Sequence, residues 1–348
     1  MRPLVSCACA FVLASACAQH PATTNPPKAY KLVAGTYDVG VSDALIRDGK
    51  REKELPVHFC FPKSTGKFPV IFFSHGFGAS GEHYQELAKH WASYGYVVIS
   101  PTHSDSFSLR NSPQDPFDIR VLQNRRDNED RLAEDRVADL KLLLDMFPAL
   151  KGMMPDFRGD LDRDSIGVAG HSLGAHTAQL IAGAEIARGR RSSAQLGDSR
   201  IKAALLLSAP GRGQMGLNEK SWEKVQIPLL VMTGSGDFSG RGQGSFSRLD
   251  PFQLSAQKQK YGVYIEGANH FSFVGNPEIA RRVGAWAGLR RRDPEAVVPD
   301  QKAIIDWVKI ACIAFWDSSL KKSEKALKYL DSDELPSFSQ GKLKLTRR

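Results

Sequence analysis

Cysteine is scarce in this chain, and apolar runs long enough to cross a membrane are missing. Five cysteines stand among 348 residues, a density that excludes a disulfide-built scaffold. The most apolar stretch, Leu4 to Ala18, falls short of the roughly 20 residues that a spanning helix needs. No Walker A sequence and no H-E-x-x-H pair occurs, and His171 and His176 have no matching carboxylate set. No metal and no cofactor is therefore expected. The basic clusters lack interleaved aromatics, which argues against nucleic acid as a partner. Gly211 to Gly216 spells G-x-G-x-x-G after an apolar run, but Pro210 intervenes and no amphipathic helix follows. A dinucleotide fingerprint needs both strand and helix at fixed places, so this one is set aside.

What is present is the composition of a folded domain, with 42% hydrophobic and 24% charged residues. The length suits one large α/β domain or two small ones, and neither an internal repeat nor a second domain is visible. Forty-seven Lys and Arg against 38 Asp and Glu leave a formal charge of +9. Such an excess can favour anionic surfaces, although solubility is its plainer role. Arg2 followed by an apolar segment ending in small residues reads as an export signal over residues 1–18. Ala14-Ser15-Ala16 before Cys17 resembles a lipobox, which would tether the chain through an acylated Cys17; cleavage after Ala16 or Ala18 is the alternative. The expected location is thus periplasmic or on the outer membrane as a lipoprotein, otherwise secreted. A Pro- and Thr-rich linker over 19–29, a single domain over 30–331 and a loose basic tail over 332–348 complete the expected plan. With Cys7 and Cys9 lost with the signal, Cys60 and Cys312 either pair in an oxidising compartment or remain two buried thiols.

Short β-branched runs bounded by Gly, Pro and Asp predict eight strands. They fall at 31–39, 54–61, 69–74, 96–100, 165–169, 203–208, 228–233 and 262–266. The first two look amphipathic, whereas VIFFS, ALLLS and LLVMT are apolar throughout, as strands buried on both faces should be. Helical patterns occupy 82–94, 124–147, 172–187, 277–289 and 301–316. Alternation of this kind implies a mainly parallel sheet flanked by helices.

Chemistry enters at Gly170-His171-Ser172-Leu173-Gly174, which follows the apolar run SIGVAG and opens a helical pattern. This is a nucleophile elbow, in which glycines permit a sharp turn that lifts Ser172 clear of the sheet. A serine hydroxyl needs a base, and the base needs an orienting acid. His270, in Gly267-Ala268-Asn269-His270, follows the last expected strand, and Asp237 ends the run LLVMTGSGD. Asp250, later in the same loop, is the rival acid. An oxyanion hole needs two backbone N–H groups. Leu173, next to the nucleophile, supplies one, and Phe77 in His75-Gly76-Phe77-Gly78 is assigned the other.

The set HGFG, GHSLG, GSGD and GANHF, spread over residues 54–290, resembles the α/β-hydrolase superfamily. FPVIFFSHGFGAS followed by WASYGYVVISPTH is similar to the group holding dienelactone hydrolase-like proteins, chlorophyllases, platelet-activating-factor acetylhydrolases and bacterial polyester hydrolases. The resemblance implies an α/β-hydrolase fold with a mostly parallel eight-stranded sheet. It implies a serine-dependent carboxylic ester hydrolase working through an acyl-enzyme on a small-molecule, lipid or polymer ester. A phospholipase A2- or acetylhydrolase-like lipid esterase, or a polyester hydrolase, is the alternative, and a non-catalytic binding protein on the same fold is the alternative of another class. Three departures bear on this: the nucleophile is Ser172 rather than cysteine, LLLSAPG carries no carboxylate where acetylhydrolases place their acid, and residues 209–227 are too few for a lid domain. Arg136-Val137-Ala138-Asp139 is similar to an R-x-x-D helix of the group and is expected to be an exposed structural ion pair. Phe77, Leu173, Phe271 and Trp222 line an acyl pocket or belong to the core.

Overall fold

The apolar runs assemble side by side into one nine-stranded sheet in the order β1-β2-β4-β3-β5-β8-β9-β10-β11. The structure is a computed structural model that describes residue 30 and residues 34–109, 129–188, 192–238, 244–276 and 300–348. The expected export signal, Cys17, the linker and the helix over 277–289 lie outside the described residues. β1 (Val39–Asp48), β2 (Lys53–Pro62) and β4 (Val97–Pro101) are joined by antiparallel pairing. From β4 through β3 (Lys67–Ser74), β5 (Asp160–His171), β8 (Ile201–Leu207), β9 (Leu229–Gly236) and β10 (Lys260–Asn269) every pairing is parallel. The parallel strands are buried on both faces, which is why they read as unbroken apolar runs. On β3, Val70 and Phe72 face one core cluster while Ile71 and Phe73 face the other.

Each face is covered by helices. α1 (Gln85–Ser93) and α4 (Gln301–Ser319) pack on one side, where Trp91 and Trp316 meet edge to face at 5.7 Å. α2 (Glu129–Asp145) and α3 (Leu173–Ile181) cover the other. The start of α4 is fixed by Asp300, whose carboxylate accepts from the backbone N–H groups of Lys302 and Ala303, two of the donors a helix start leaves unpaired. The parallel strands all end at the same edge of the sheet, so the loops that follow β3, β5, β8, β9 and β10 are neighbours. This is the α/β-hydrolase layout expected from the sequence.

Three expectations need correction. The first strand begins at Val39, and residues 34–38 of the strand expected over 31–39 are not strand. Its apolar residues Val41 and Leu45 are 44% and 60% exposed, so on this edge strand the usual apolar-inward alternation gives no guide. The helix after Ser172 stops at Ile181, where Gly183 turns with φ 110°, and a separate hairpin of β6 (Glu185–Arg188) and β7 (Ser192–Gln195) follows. Residues 332–348 are not a loose tail. They form a short helix, α6 (Glu334–Phe338), after α5 (Glu324–Leu330), and then β11 (Leu343–Arg347). β11 is the ninth strand and pairs antiparallel with β10, placing Leu343 opposite Ile265 and Leu345 opposite Val263. Exposed Lys344 and Thr346 alternate with buried Leu343 and half-buried Leu345, so polar residues masked a strand pattern of period two. Finally, Cys60 and Cys312 are free, buried thiols; of the two readings, the unpaired one describes the structure.

Candidate active site

β5 ends at His171 and α3 begins at Leu173, so Ser172 alone makes the turn, with φ 56° and ψ −116°. Backbone strain of this kind is held only when the surroundings over-determine it. Here two glycines make it feasible. A Cβ on Gly174 would lie 1.8 Å from the Ser74 carbonyl oxygen, and one on Gly170 would lie 2.1 Å from that of Gly174. The Ser172 N–H donates to the Leu207 carbonyl at 2.9 Å, tying the elbow to the end of β8. Leu173 is the first residue of α3, where backbone N–H groups lack intrahelical acceptors and favour negative charge.

His270 follows β10 directly. Its Nε2 lies 2.9 Å from Ser172 Oγ, and its Nδ1 lies 3.0 Å from Asp237 Oδ1. Asp237, just past β9, is fully buried. Thr233 Oγ1 donates to its second oxygen at 2.9 Å. Burial alone pushes this carboxyl up, but the Arg248 charge and the bonds from His270 and Ser208 outweigh it and hold it below the ordinary carboxylate range. Asp237 is thus an anion facing the imidazole. Asp250 accepts from the Arg212 N–H at 2.9 Å and faces the Arg212 guanidinium instead. Of the two acids weighed in the sequence, Asp237 is the one that stands beside His270.

His171, the residue before Ser172, has no role in the motif. Its Nε2 donates to the His270 carbonyl at 2.7 Å, while Nδ1 accepts from Tyr84 Oη at 2.8 Å. Tyr84 Oη in turn accepts from the Gly76 N–H at 3.1 Å. One buried imidazole therefore links the His270 turn to the glycine loop after β3. Burial first and the His270 ring second lower His171 to about 3, so it bridges as a neutral ring.

The loop His75-Gly76-Phe77-Gly78 lies against the elbow, since a Cβ on Gly174 would also come within 2.6 Å of the His75 carbonyl oxygen. Here the expected Arg136–Asp139 pair is corrected: neither residue is exposed, and each has another partner. Arg136 binds Asp105 through two N–H groups at 2.8 and 2.7 Å and donates to the His75 carbonyl at 2.6 Å. Asp105 also accepts from the Gly78 N–H at 3.3 Å. Asp139 accepts from His103 Nδ1 at 2.8 Å and pairs with Arg51 and Lys53. The helix motif is thus an internal brace whose guanidinium grips the glycine loop. Replacing Arg136 with methionine leaves Asp105 charged and unpaired in the interior, which costs about 3–5 kcal/mol. Urea denaturation of Arg136→Met should show that loss; an unchanged midpoint would mean that the brace carries no stability.

Other side chains resolve plainly. Trp222 is fully buried and donates to Gln179 at 2.8 Å, which makes it core. Phe271 is half-buried, packed on the core and edge to face with His270 at 5.4 Å. Phe77 meets Phe107 edge to face at 5.5 Å. Cys60, His58 and Asp43 form a second row, with Sγ 3.6 Å from Nε2 and Nδ1 2.8 Å from the carboxylate. Burial pushes the Cys60 thiol up to about 12, so no thiolate forms there near neutrality. Among the described residues, no group of three His, Cys, Asp or Glu side chains could hold a metal ion, and no helix is long and apolar enough to cross a membrane.

Known proteins share this arrangement in part. A family model described as chlorophyllase matches residues 32–197. The platelet-activating factor acetylhydrolase of Canis lupus familiaris is 28% identical over 314 residues, covering 82% of this chain and 64% of that protein. The corresponding protein of Cavia porcellus is 24% identical over 288 residues, covering 75% of this chain and 60% of its own length. A chlorophyllase type 0 of Chenopodium album is 28% identical over 176 residues, half of this chain and 42% of that one. The chain thus spans less than two thirds of the length of these curated relatives. Among solved structures, a ferulic acid esterase from Streptomyces cinnamoneus superposes with a TM-score of 0.59 at 18% identity, covering 94% of this chain and 98% of that one. Sheet order and the structural likeness give the chain the α/β-hydrolase fold, and its sequence is similar to chlorophyllases and platelet-activating factor acetylhydrolases.

Proposed function

We propose that this chain is a serine-dependent carboxylic ester hydrolase that works through an acyl-enzyme. The observation that carries the reading is the line Ser172–His270–Asp237, with 2.9 and 3.0 Å between successive members. His270 removes the proton from Ser172 as its oxygen attacks the ester carbonyl, and Asp237 stabilises the imidazolium that forms. The backbone N–H groups of Phe77 and Leu173 are assigned to the oxyanion, a preorganised contribution that is large in a site sheltered from water. His270 returns its proton to the leaving alcohol, and a water repeats the cycle to release the acid. Names among the relatives, acetylhydrolases and chlorophyllases, are those of ester-cleaving proteins and support the same class. A non-catalytic binding role leaves the strain stored at Ser172 without a use.

The test is covalent. A fluorophosphonate probe should label the intact chain once, at Ser172, and leave Ser172→Ala unlabelled. An intact, folded chain that takes up no probe would remove the reading.

A lipid or polymer ester is the second reading for substrate. Phe238, next to Asp237, is 46% exposed, and Phe246 in the same loop is 64% exposed and stacks on Tyr264 at 4.7 Å. Apolar side chains presented beside a site suit an extended or aggregated ester better than a small soluble one. Export, and a tether through Cys17, belong to the same proposal, and N-terminal mass spectrometry addresses them.

A further inference from the structure

We infer that Ser208 is a positioning residue for the triad, one that fixes the proton on Nδ1 of His270. The inference rests on the acyl-transfer reading above and adds a fourth side chain to it. Ser208 stands one residue past β8, fully buried, with φ 54°, a backbone region that side-chain-bearing residues rarely occupy. Three backbone contacts hold it there. Its N–H donates to the Met232 carbonyl at 2.8 Å, its carbonyl accepts from Arg248 Nη1 at 2.6 Å, and the carbonyl just before it receives the Ser172 N–H at 2.9 Å. The turn therefore touches the nucleophile through its backbone and the other two members of the triad through its side chain.

The hydroxyl oxygen lies 2.8 Å from Asp237 Oδ1 and 2.6 Å from His270 Nδ1, closing a triangle whose third edge is 3.0 Å. Proton bookkeeping settles the roles. An ionised carboxylate can only accept, so the Ser208 proton points at Oδ1. With that proton committed, Oγ can offer only a lone pair to Nδ1. Nδ1 must then carry a hydrogen, shared between Oγ and Oδ1, which leaves the lone pair of the neutral ring on Nε2. Nε2 is the atom that faces Ser172 Oγ. Were the proton on Nε2 instead, the one Ser208 hydrogen could serve Nδ1 or Oδ1 but not both, and Nδ1 would face the Oδ1 lone pair in either case. The Arg248 side chain, 2.9 Å from the Asp237 carbonyl and 3.0 Å from Oδ1, keeps the carboxylate anionic and so keeps the bookkeeping valid. It also clasps the turns after β8 and β9 together through Ser208 and Asp237.

The experiment replaces Ser208 by alanine and by glycine, each in the unsubstituted chain and in Asp237→Asn, and measures kcat and KM on a short activated ester. Glycine relieves the φ 54° strain and alanine does not, so equal defects assign the effect to the hydroxyl. The expected loss is roughly ten- to a hundredfold in kcat with KM unchanged, the worth of one hydrogen bond to a charged partner. In Asp237→Asn the triangle is already broken, and the same change should cost under about threefold, the non-additivity expected of coupled neighbours. Full activity in Ser208→Ala, or an equal loss in both backgrounds, would overturn the inference while leaving the acyl-transfer reading intact. Absence of ester turnover and of fluorophosphonate uptake in the unsubstituted chain would instead sink that reading first.

Discussion

Ser172→Ala and His270→Ala should each lower kcat on an activated ester by on the order of 10⁶-fold, and Asp237→Asn by on the order of 10⁴-fold. The reason lies in how the three groups share one task. Without the hydroxyl there is no acyl acceptor, and without the imidazole the hydroxyl keeps its proton. The asparagine keeps the shape of Asp237 but presents an amide to Nδ1, which favours the unproductive tautomer. Because the members act as a unit, the double variant Ser172→Ala/His270→Ala should be no slower than either single one. Asp250→Asn is the control. Its carboxylate is engaged by Arg212 rather than by His270, so turnover should stay within a few-fold of the parent. Steady-state rates on one ester, with folding checked by circular dichroism, decide the matter. A substantial rate in Asp237→Asn together with a collapse in Asp250→Asn would reverse the assignment of the acid.

The second large effect is on stability in acid. His75, His90, His103 and His171 are all buried, and burial is the leading cause that lowers each of them: His90 to about 4, His171 to about 3, His75 well down, and His103 despite its bond to Asp139. In the unfolded chain these rings take up protons near pH 6.5. Below that pH the unfolded state binds protons that the folded state refuses, so stability falls as pH falls. Each ring contributes up to about 1.4 kcal/mol per pH unit until its folded value is reached. Several such rings together rival a whole folding free energy of roughly 5–15 kcal/mol. Asp105 and Asp237 are held low, and Asp139 is held at about 2 by His103 and Lys53 against its burial. Their contribution is present above the unfolded value and fades only below about pH 4. The urea midpoint should therefore drop steeply between pH 6.5 and pH 4, before the carboxylates begin to titrate. A flat midpoint across that window would contradict the neutral, buried state of these rings.

The parts of this molecule that were legible in the sequence are those that repeat a local rule. Ser172 was readable because an elbow must have small residues on both sides, and the close approaches at Gly170 and Gly174 are that rule in three dimensions. Asp237 and His270 are legible because each follows an expected strand, Asp237 the apolar run LLVMT and His270 the segment 262–266. The loop after β3, to which an oxyanion donor is assigned, is legible by the same logic. Arg136, Asp105, Ser208 and Arg248 were not readable as partners, because their contacts join segments far apart in the chain. Nothing local distinguishes a buried arginine from a surface one, and the i, i+3 spacing of Arg136 and Asp139 suggested a pair that the fold does not use. β1 and β11 were lost for a related reason. At the edges of a sheet one face meets water, and both Val41 and Lys344 then break the simple equation of apolar with buried.

β11 also bears on how the molecule is made. The strand that delivers His270 is paired on one side to β9, and among the described residues its other side is covered by residues 343–347. As the polypeptide leaves the ribosome from its amino end, the nucleophile and the acid emerge well before that cover does. In the interval, the flank of β10 exposes unsatisfied peptide groups next to Val263 and Ile265, the kind of surface that recruits a neighbouring chain. Biogenesis of this fold thus has its most vulnerable moment late, when Ser172, Asp237 and His270 have emerged but the seam beside the imidazole has not yet been sewn shut.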